Sequence, residues 1–114
     1  MSRDTFIVDG LRSPIGLKNG NLIGMRPDDL ATEVVKALLE RNMSICNKNI
    51  EDVIIGCAFP EGPQGMLMSR AVSVLSDLPI ETAAKVVNRF CGSSMDSLHQ
   101  ASQAVISGDA SAVI

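Results

Sequence analysis

The sequence predicts an α/β protein with a layered architecture and a largely parallel sheet. Short apolar runs typical of buried strands alternate with segments of helical periodicity, in the order β-loop-α-β-α-β-α-β. Of the 114 residues, 46% are apolar and 20% are charged, a balance typical of a folded domain. Because the chain holds three Phe and no Trp or Tyr, its core must be aliphatic.

The N-terminal part is predicted to form a strand, a long loop and a helix. Residues 6–8 are a short apolar run that an Asp-Gly pair ends, which indicates a strand. Residues 12–26 are rich in Gly, Pro, Asn and Lys, and long loops of this kind are often functional. Pro27 and two following acids indicate the start of a helix over 28–41. Its apolar positions are Leu30, Val34, Ala37 and Leu38.

Two further strands and one helix are predicted in the middle of the chain. The continuous apolar run at 52–58 indicates a buried strand. A loop with two Pro and two Gly follows, and a helix is predicted over 66–77, which Pro79 ends. Residues 83–88 are predicted to be the third strand.

The last predicted elements are a helix over 93–107 and a fourth strand over 110–114. Gly108 suits the position just after the helix, where a left-handed backbone is common. The helix is expected to carry Met95, Leu98, Ser102 and Val105 on one face. Because the chain stops inside an apolar run, without a turn or polar tail, we expect it to be a fragment of a longer protein.

Composition excludes several classes of function. The net charge of −3 and the lack of aromatic platforms argue against nucleic-acid binding. No apolar run approaches the roughly 18 residues of a membrane span. The N-terminus lacks the apolar stretch of a signal peptide, so the expected location is cytoplasmic. Three cysteines without metal-ligand spacing predict reduced thiols and neither disulfides nor a metal site.

Cys91 is the candidate nucleophile. A predicted strand runs into a tight turn, and a helix begins just after this cysteine. Unpaired N–H groups at a helix start stabilise a thiolate and can also bind a developing oxyanion. The small residues 92–94 leave room for a substrate. The alternative interpretation is that Cys91 is a small residue packed at a strand–helix corner.

The other candidate side chains favour structural interpretations. Cys46 lies in a polar stretch and Cys57 in an apolar strand, so each is expected to be structural or incidental. His99 is the only histidine, and eight residues of helix would separate it from Cys91 by about 12 Å. A general base needs hydrogen-bond reach, so His99 is not expected to activate Cys91. The chain therefore holds a candidate nucleophile without a candidate base.

Residues 87–95, Val-Asn-Arg-Phe-Cys-Gly-Ser-Ser-Met, closely resemble the acyl-enzyme signature of thiolases, which are coenzyme-A-dependent acyltransferases. Residues 8–16 resemble the opening strand and Arg-Thr-Pro loop of that family, with Ser13 in place of the commoner Thr. Residues 52–57 resemble its second strand. The variant around Cys91 is most similar to degradative 3-ketoacyl-CoA thiolases, including the beta subunits of bacterial fatty-acid oxidation complexes.

The resemblance implies a fold, a reaction and partners. Residues 1–114 would be an incomplete N-terminal thiolase domain with a layered αβα fold and a mostly parallel mixed sheet. Cys91 would attack the 3-keto carbon of a 3-ketoacyl-CoA, its N–H contributing to an oxyanion hole. Acetyl-CoA would leave, and a second CoA would take the acyl group, as in fatty-acid β-oxidation. Coenzyme A is then a substrate, and no metal or redox cofactor is implied.

The family also implies a homodimer or homotetramer paired through the third strand, and association with a β-oxidation alpha subunit. Its Gly-His-Pro histidine, its Cys-Gly-Gly-Gly cysteine and the loop domain that binds most of CoA have no counterpart in these 114 residues. The 114 residues alone are therefore expected to be inactive. Two alternatives stay open: a condensing enzyme of the ketoacyl-synthase type, and an inactive remnant that pairs with an intact thiolase subunit. The direction of the reaction, degradative or biosynthetic, also stays open.

Overall fold

In the computed structural model, which describes residues 3–114, three helices alternate with three strands. In chain order the elements are α1 (Pro27–Arg41), β1 (Ile50–Gly56), α2 (Met68–Leu75), β2 (Ala83–Val87), α3 (Ser93–Ser107) and β3 (Ala112–Val113). The strands form one sheet in the order β2-β1-β3, and both pairings are parallel. The predicted α/β fold with a parallel sheet is confirmed.

Strand β1 lies at the centre of the sheet and is covered on both faces. The chain steps from β1 to one neighbour through α2, and from β2 back across β1 to β3 through α3. Crossover connections between parallel strands are right-handed. The connection from β1 to β2 and the connection from β2 to β3 move across the sheet in opposite directions, so α2 and α3 lie on opposite faces of the sheet. Val53 and Ile54, successive residues that point to opposite faces, are accordingly both buried.

The aliphatic core is centred on the first half of β1. Ile50, Val53 and Leu78 form a buried cluster. The partly buried side chains packed around it come from α1, the loop after it, the three strands and the residue after β3: Leu39, Ile45, Ile55, Ala84, Ala112 and Ile114. Buried aliphatic area of this kind stabilises the fold by roughly 25 cal/mol per Å² removed from water. The sequence predicted this composition from its lack of Trp and Tyr.

The predicted first strand over 6–8 is wrong. The segment is not part of the sheet, and Phe6, Ile7 and Val8 are all exposed, with Phe6 82% accessible. A strand needs a partner with free backbone groups, and no strand within residues 3–114 pairs with this segment. Side chains fix it instead: Asp9 accepts hydrogen bonds from Arg41 and Asn42 at the end of α1.

Helix α2 is shorter than the predicted 66–77. Met66 and Leu67 have φ values of 52° and 58°, in the left-handed region, so neither can be helical. The helix ends at Leu75, four residues before Pro79, and Asp77 is again left-handed. The predicted fourth strand over 110–114 is reduced to Ala112–Val113.

None of the residues on the predicted apolar faces of α1 and α3 is fully buried. On α1 the buried residues are Asp28, Thr32 and Val35, and on α3 they are Ser93 and Ser97. The predicted apolar positions Val34, Leu38, Met95, Leu98 and Val105 instead line an open cleft of about 1460 Å³. The N-terminal segment crosses the same cleft. Small side chains pack against the sheet on the α3 side because they allow the helix to approach closely.

Candidate active site

The candidate site lies at the carboxyl-terminal edge of the sheet. Gly56 at the end of β1 is in register with Val87 at the end of β2. The N–H of Cys57 continues the ladder by donating to the carbonyl of Val87 at 2.9 Å. The loops that follow these two strands therefore leave the sheet side by side. Open α/β sheets bind their ligands at this edge.

Cys91 is exposed in a single turn of 3₁₀ helix between β2 and α3. The turn spans Phe90–Gly92, and α3 begins at the next residue, Ser93. The first N–H groups of a helix have no partner within it and carry positive potential, which favours an anionic sulfur or oxygen nearby. The predicted strand, turn and helix around Cys91 are present, with the helix bounds as predicted.

A set of hydrogen bonds holds the turn on the amino-terminal side of Cys91. Phe90 has a φ of 47°, an unusual left-handed conformation for an aromatic residue. Its N–H donates to Asn88 Oδ1 at 2.9 Å. The Ser93 hydroxyl accepts the N–H of Arg89 at 2.9 Å and donates to the carbonyl of Phe90 at 2.6 Å.

Gly56 allows α3 to begin directly against β1. A Cβ at this position would lie 2.4 Å from the backbone nitrogen of Ser94 and 2.5 Å from the carbonyl carbon of Ser93. Both atoms belong to the first turn of α3 and cannot move without displacing it. Glycine within a strand commonly marks such a close backbone approach. The contact with Gly56 thus determines how close to the end of β1 the turn that carries Cys91 lies.

One cation is held beside the turn. Arg89 Nη1 lies 3.0 Å from Asp96 Oδ1, in the first turn of α3. Asp96 also accepts a hydrogen bond from Gln100 Nε2 at 2.9 Å. The guanidinium is largely exposed, so this pair contributes little to stability and mainly places a positive charge two residues before Cys91.

The loop after β1 contacts the turn through an aromatic pair. The rings of Phe59 and Phe90 meet edge to face, with centroids 6.1 Å apart. Both side chains are exposed. Aromatic pairs in this geometry attract each other beyond the area that they bury. The two loops at the edge of the sheet are therefore joined next to Cys91.

The other candidate residues, His99, Cys57 and Cys46, take no part in this turn. Helix α3 is unbroken, which was the condition for excluding His99 as a base, and His99 Nε2 lies 3.0 Å from Gln103 Nε2 in the same helix. Cys57 is buried just after β1, and Cys46 is exposed before a 3₁₀ turn. Among residues 3–114, no three His, Cys, Asp or Glu side chains are grouped to hold a metal ion. None of the helices described is long and apolar enough to cross a membrane.

The sequence interpretation did not find Gly56 as part of the site, and it assigned no hydrogen-bonding role to Asn88 or Ser93. A glycine near the end of an apolar strand was a usable signal for Gly56. Asn and Ser near a strand–helix corner often bond to nearby backbone, which was a weaker signal for the other two. The left-handed backbone of Phe90 had no signal, because aromatic residues rarely adopt it.

The fold and the turn define an α/β protein that presents a cysteine at the start of a helix on the edge of a parallel sheet. The family model described as "Thiolase, N-terminal domain" matches residues 5–114. The chain belongs to the thiolase family, and the resemblance seen in the sequence is confirmed.

Three relatives illustrate the similarity. The chain is 46% identical over 106 residues to a "3-ketoacyl-CoA thiolase" of Marinomonas sp. (strain MWYL1), covering 92% of this chain and 27% of the relative. It is 42% identical over 108 residues to the protein of the same name from Marinobacter nauticus, covering 94% and 28%. A "Beta-ketoadipyl-CoA thiolase" of Acinetobacter baylyi is 39% identical over 112 residues, covering 98% and 28%. The chain thus spans 27–28% of the length of these relatives.

Proposed function

We propose that the natural polypeptide is an acyltransferase of the thiolase type and that Cys91 carries its acyl group. The observation that supports this most directly is the exposed cysteine in the turn before α3. The Cys91 thiolate would add to the 3-keto carbon of a 3-ketoacyl-CoA. Collapse of the adduct would release acetyl-CoA as its enolate, which takes up a proton, and leave a shortened acyl group on sulfur. The thiol of a second CoA would then take that acyl group from Cys91.

The Cys91 N–H would bind the oxyanion that forms at each addition step. An N–H at the start of a helix is unpaired within it and polarised toward negative charge, as this role requires. Coenzyme A acts here as a substrate, and we propose no metal or redox cofactor. The names of the relatives support cleavage of 3-ketoacyl-CoA over the condensing-enzyme alternative, with β-oxidation as the proposed pathway.

A homodimer or homotetramer that pairs through β2 is part of the same proposal. Strand β2 lies at the edge of the sheet, and its outer side pairs with no other strand of residues 3–114. Such an edge presents free N–H and carbonyl groups to a second strand. A β-oxidation alpha subunit as partner, and a cytoplasmic location, complete the proposal; co-purification and cell fractionation would test them.

Turnover of a 3-ketoacyl-CoA by the natural polypeptide tests the proposal. Formation of acetyl-CoA from acetoacetyl-CoA and CoA is expected for the wild type and for Cys46→Ala, and not for Cys91→Ala. The Cys46 variant is a matched control, since it removes another exposed thiol from the same chain. Normal turnover by Cys91→Ala would contradict the assignment.

A further inference from the structure

We propose that Ser93 is the positioning residue that aims the Cys91 N–H at the substrate. This inference rests on the proposed function and deepens it. Ser93 touches neither the sulfur nor the reacting carbonyl in the mechanism above. Its buried hydroxyl acts through the backbone of the turn instead.

The peptide unit between Phe90 and Cys91 links Ser93 to the Cys91 N–H. The Ser93 hydroxyl donates to the carbonyl of Phe90 at 2.6 Å. That carbonyl and the Cys91 N–H belong to the same planar trans peptide and point in opposite directions. Anchoring the carbonyl on Ser93 therefore fixes the direction of the Cys91 N–H, away from Ser93.

The backbone of Phe90 is strained, and Ser93 helps to hold it. A residue with a φ of 47° relaxes to an ordinary conformation unless its surroundings hold it. The Ser93 oxygen spans this residue, because it accepts the N–H of Arg89 on one side and donates to the carbonyl of Phe90 on the other. A single hydroxyl thus restrains the peptide unit before Arg89 and the one after Phe90, and the Asn88 side chain holds the unit between them by accepting the Phe90 N–H.

Ser93 is itself firmly held in the structure. Its side chain belongs to a residue that is only 3% exposed, so water cannot replace the hydroxyl's partners easily. The first turn of α3 also lies directly on Gly56, at distances that exclude a side chain there. A firmly seated hydroxyl is what an oxyanion-binding N–H needs, since such groups act by being preorganised.

Two reactions of Cys91 distinguish a Ser93 that positions the Cys91 N–H from a Ser93 that only stabilises the fold. In acetyl transfer from acetyl-CoA, the thiolate adds to the thioester carbonyl, the electron pair moves to oxygen, and CoA thiolate leaves and is protonated. That step requires the Cys91 N–H. In alkylation by iodoacetamide, sulfur displaces iodide at a saturated carbon, and no oxyanion forms. Misdirecting the N–H must slow the first reaction far more than the second.

The test compares Ser93→Ala with Ser97→Ala in the natural polypeptide. Ser97 is also buried in α3, one turn further along, and its hydroxyl donates to a backbone carbonyl at 3.0 Å, so the chemical change is matched. Acetyl transfer to Cys91 is expected to fall at least about tenfold in Ser93→Ala, with alkylation changed by less than about twofold. Ser97→Ala is expected to keep both rates.

Ser93→Thr keeps the hydroxyl and serves as the second variant should Ser93→Ala fail to fold. It is expected to retain acetyl transfer within about fivefold of the wild type. Equal acetyl transfer in Ser93→Ala and Ser97→Ala, an equal fall in both reactions, or loss of acetyl transfer in an alkylatable Ser93→Thr would overturn the inference. A wild type that is not acetylated at all would instead overturn the proposed function, and the role of Ser93 with it.

Discussion

Gly56 shows how a single residue positions the candidate nucleophile. The absence of a Cβ lets the first turn of α3 lie against the end of β1, and that turn follows Cys91 directly. Ser93 and Asn88 then restrain the backbone on the other side of the cysteine. The position of Cys91 is therefore set by its neighbours in the turn and by one glycine of the adjacent strand.

Gly56→Ala is expected to destabilise the protein by about 1–3 kcal/mol, since the added methyl group would overlap backbone atoms that have no room to move. The free energy of unfolding, measured with denaturant, reports the change. Gly10→Ala is the matched control because nothing lies within 4 Å of the added Cβ, and its effect should stay within about 0.5 kcal/mol. Equal stability of the two variants would contradict the close approach.

At the scale of elements, the N-terminal segment is attached to α1 by charge rather than by a strand ladder. Hydrogen bonds from the Arg41 guanidinium hold the pKa of the Asp9 carboxyl well below its ordinary value of 3.8, and Asn42 and the Gly10 N–H lower it further. A carboxylate with a lowered pKa stabilises the fold above its unfolded-state pKa, and this contribution is lost as the pH falls.

The stability of wild type relative to Asp9→Asn should therefore depend on pH. The wild type is expected to be more stable above about pH 4, with the difference shrinking as the pH falls further. Denaturant unfolding at a series of pH values measures it. Asp4→Asn changes an exposed acid of the same segment and should show no comparable difference. A pH-independent gap between wild type and Asp9→Asn would argue against the ion pair.

Strand β2 offers a second prediction at this scale. The ladder bond from Cys57 to Val87, with the alternation of parallel strands, directs the N–H groups of Val87 and Lys85 toward β1 and that of Val86 outward. Val86→Pro should therefore break the proposed dimer and preserve the protomer, whereas Lys85→Pro should destabilise the protomer itself. Sedimentation and denaturant unfolding distinguish the two. A Val86→Pro protein that remains dimeric would exclude pairing through β2.

The elements that the sequence predicted well are those with local signals. Pro27 with its acids, and Gly108 in the left-handed conformation after α3, marked helix ends that the structure confirms. The strand over 6–8 failed because its formation depends on a partner, which no local pattern reveals. Cys91 was placed correctly in its turn by the strand–helix pattern. The Ser93 and Gly56 contacts were not predicted, since they depend on how two elements approach each other in space.

At the scale of the whole molecule, the described chain exposes more surface than its size requires. The accessible area is 7793 Å², whereas a compact monomer of this mass exposes about 6000 Å². Part of the excess is the cleft between the N-terminal segment, α1 and α3, whose lining is largely apolar. Apolar surface of this extent is typical of an interface.

A polypeptide of these 114 residues alone is consequently expected to bind a hydrophobic dye such as ANS at neutral pH. Met95 and Leu98 line the cleft from α3 and are exposed, so replacing both by Ser should reduce the dye fluorescence. Replacing exposed Met43 by Ser is a matched control, since Met43 is not among the cleft residues and should change little. Fluorescence that is unchanged by the Met95 and Leu98 substitutions would mean that the cleft is closed in solution.

The most direct test of the central claim is the intact mass of the natural polypeptide after incubation with acetyl-CoA. An adduct of one acetyl group is expected for the wild type and for Cys46→Ala, and its absence is expected for Cys91→Ala. The mass of the untreated protein also reports the length of the natural chain. An adduct that persists in Cys91→Ala, or a wild-type protein that acetyl-CoA never acylates, would contradict the assignment of Cys91 as the acyl carrier.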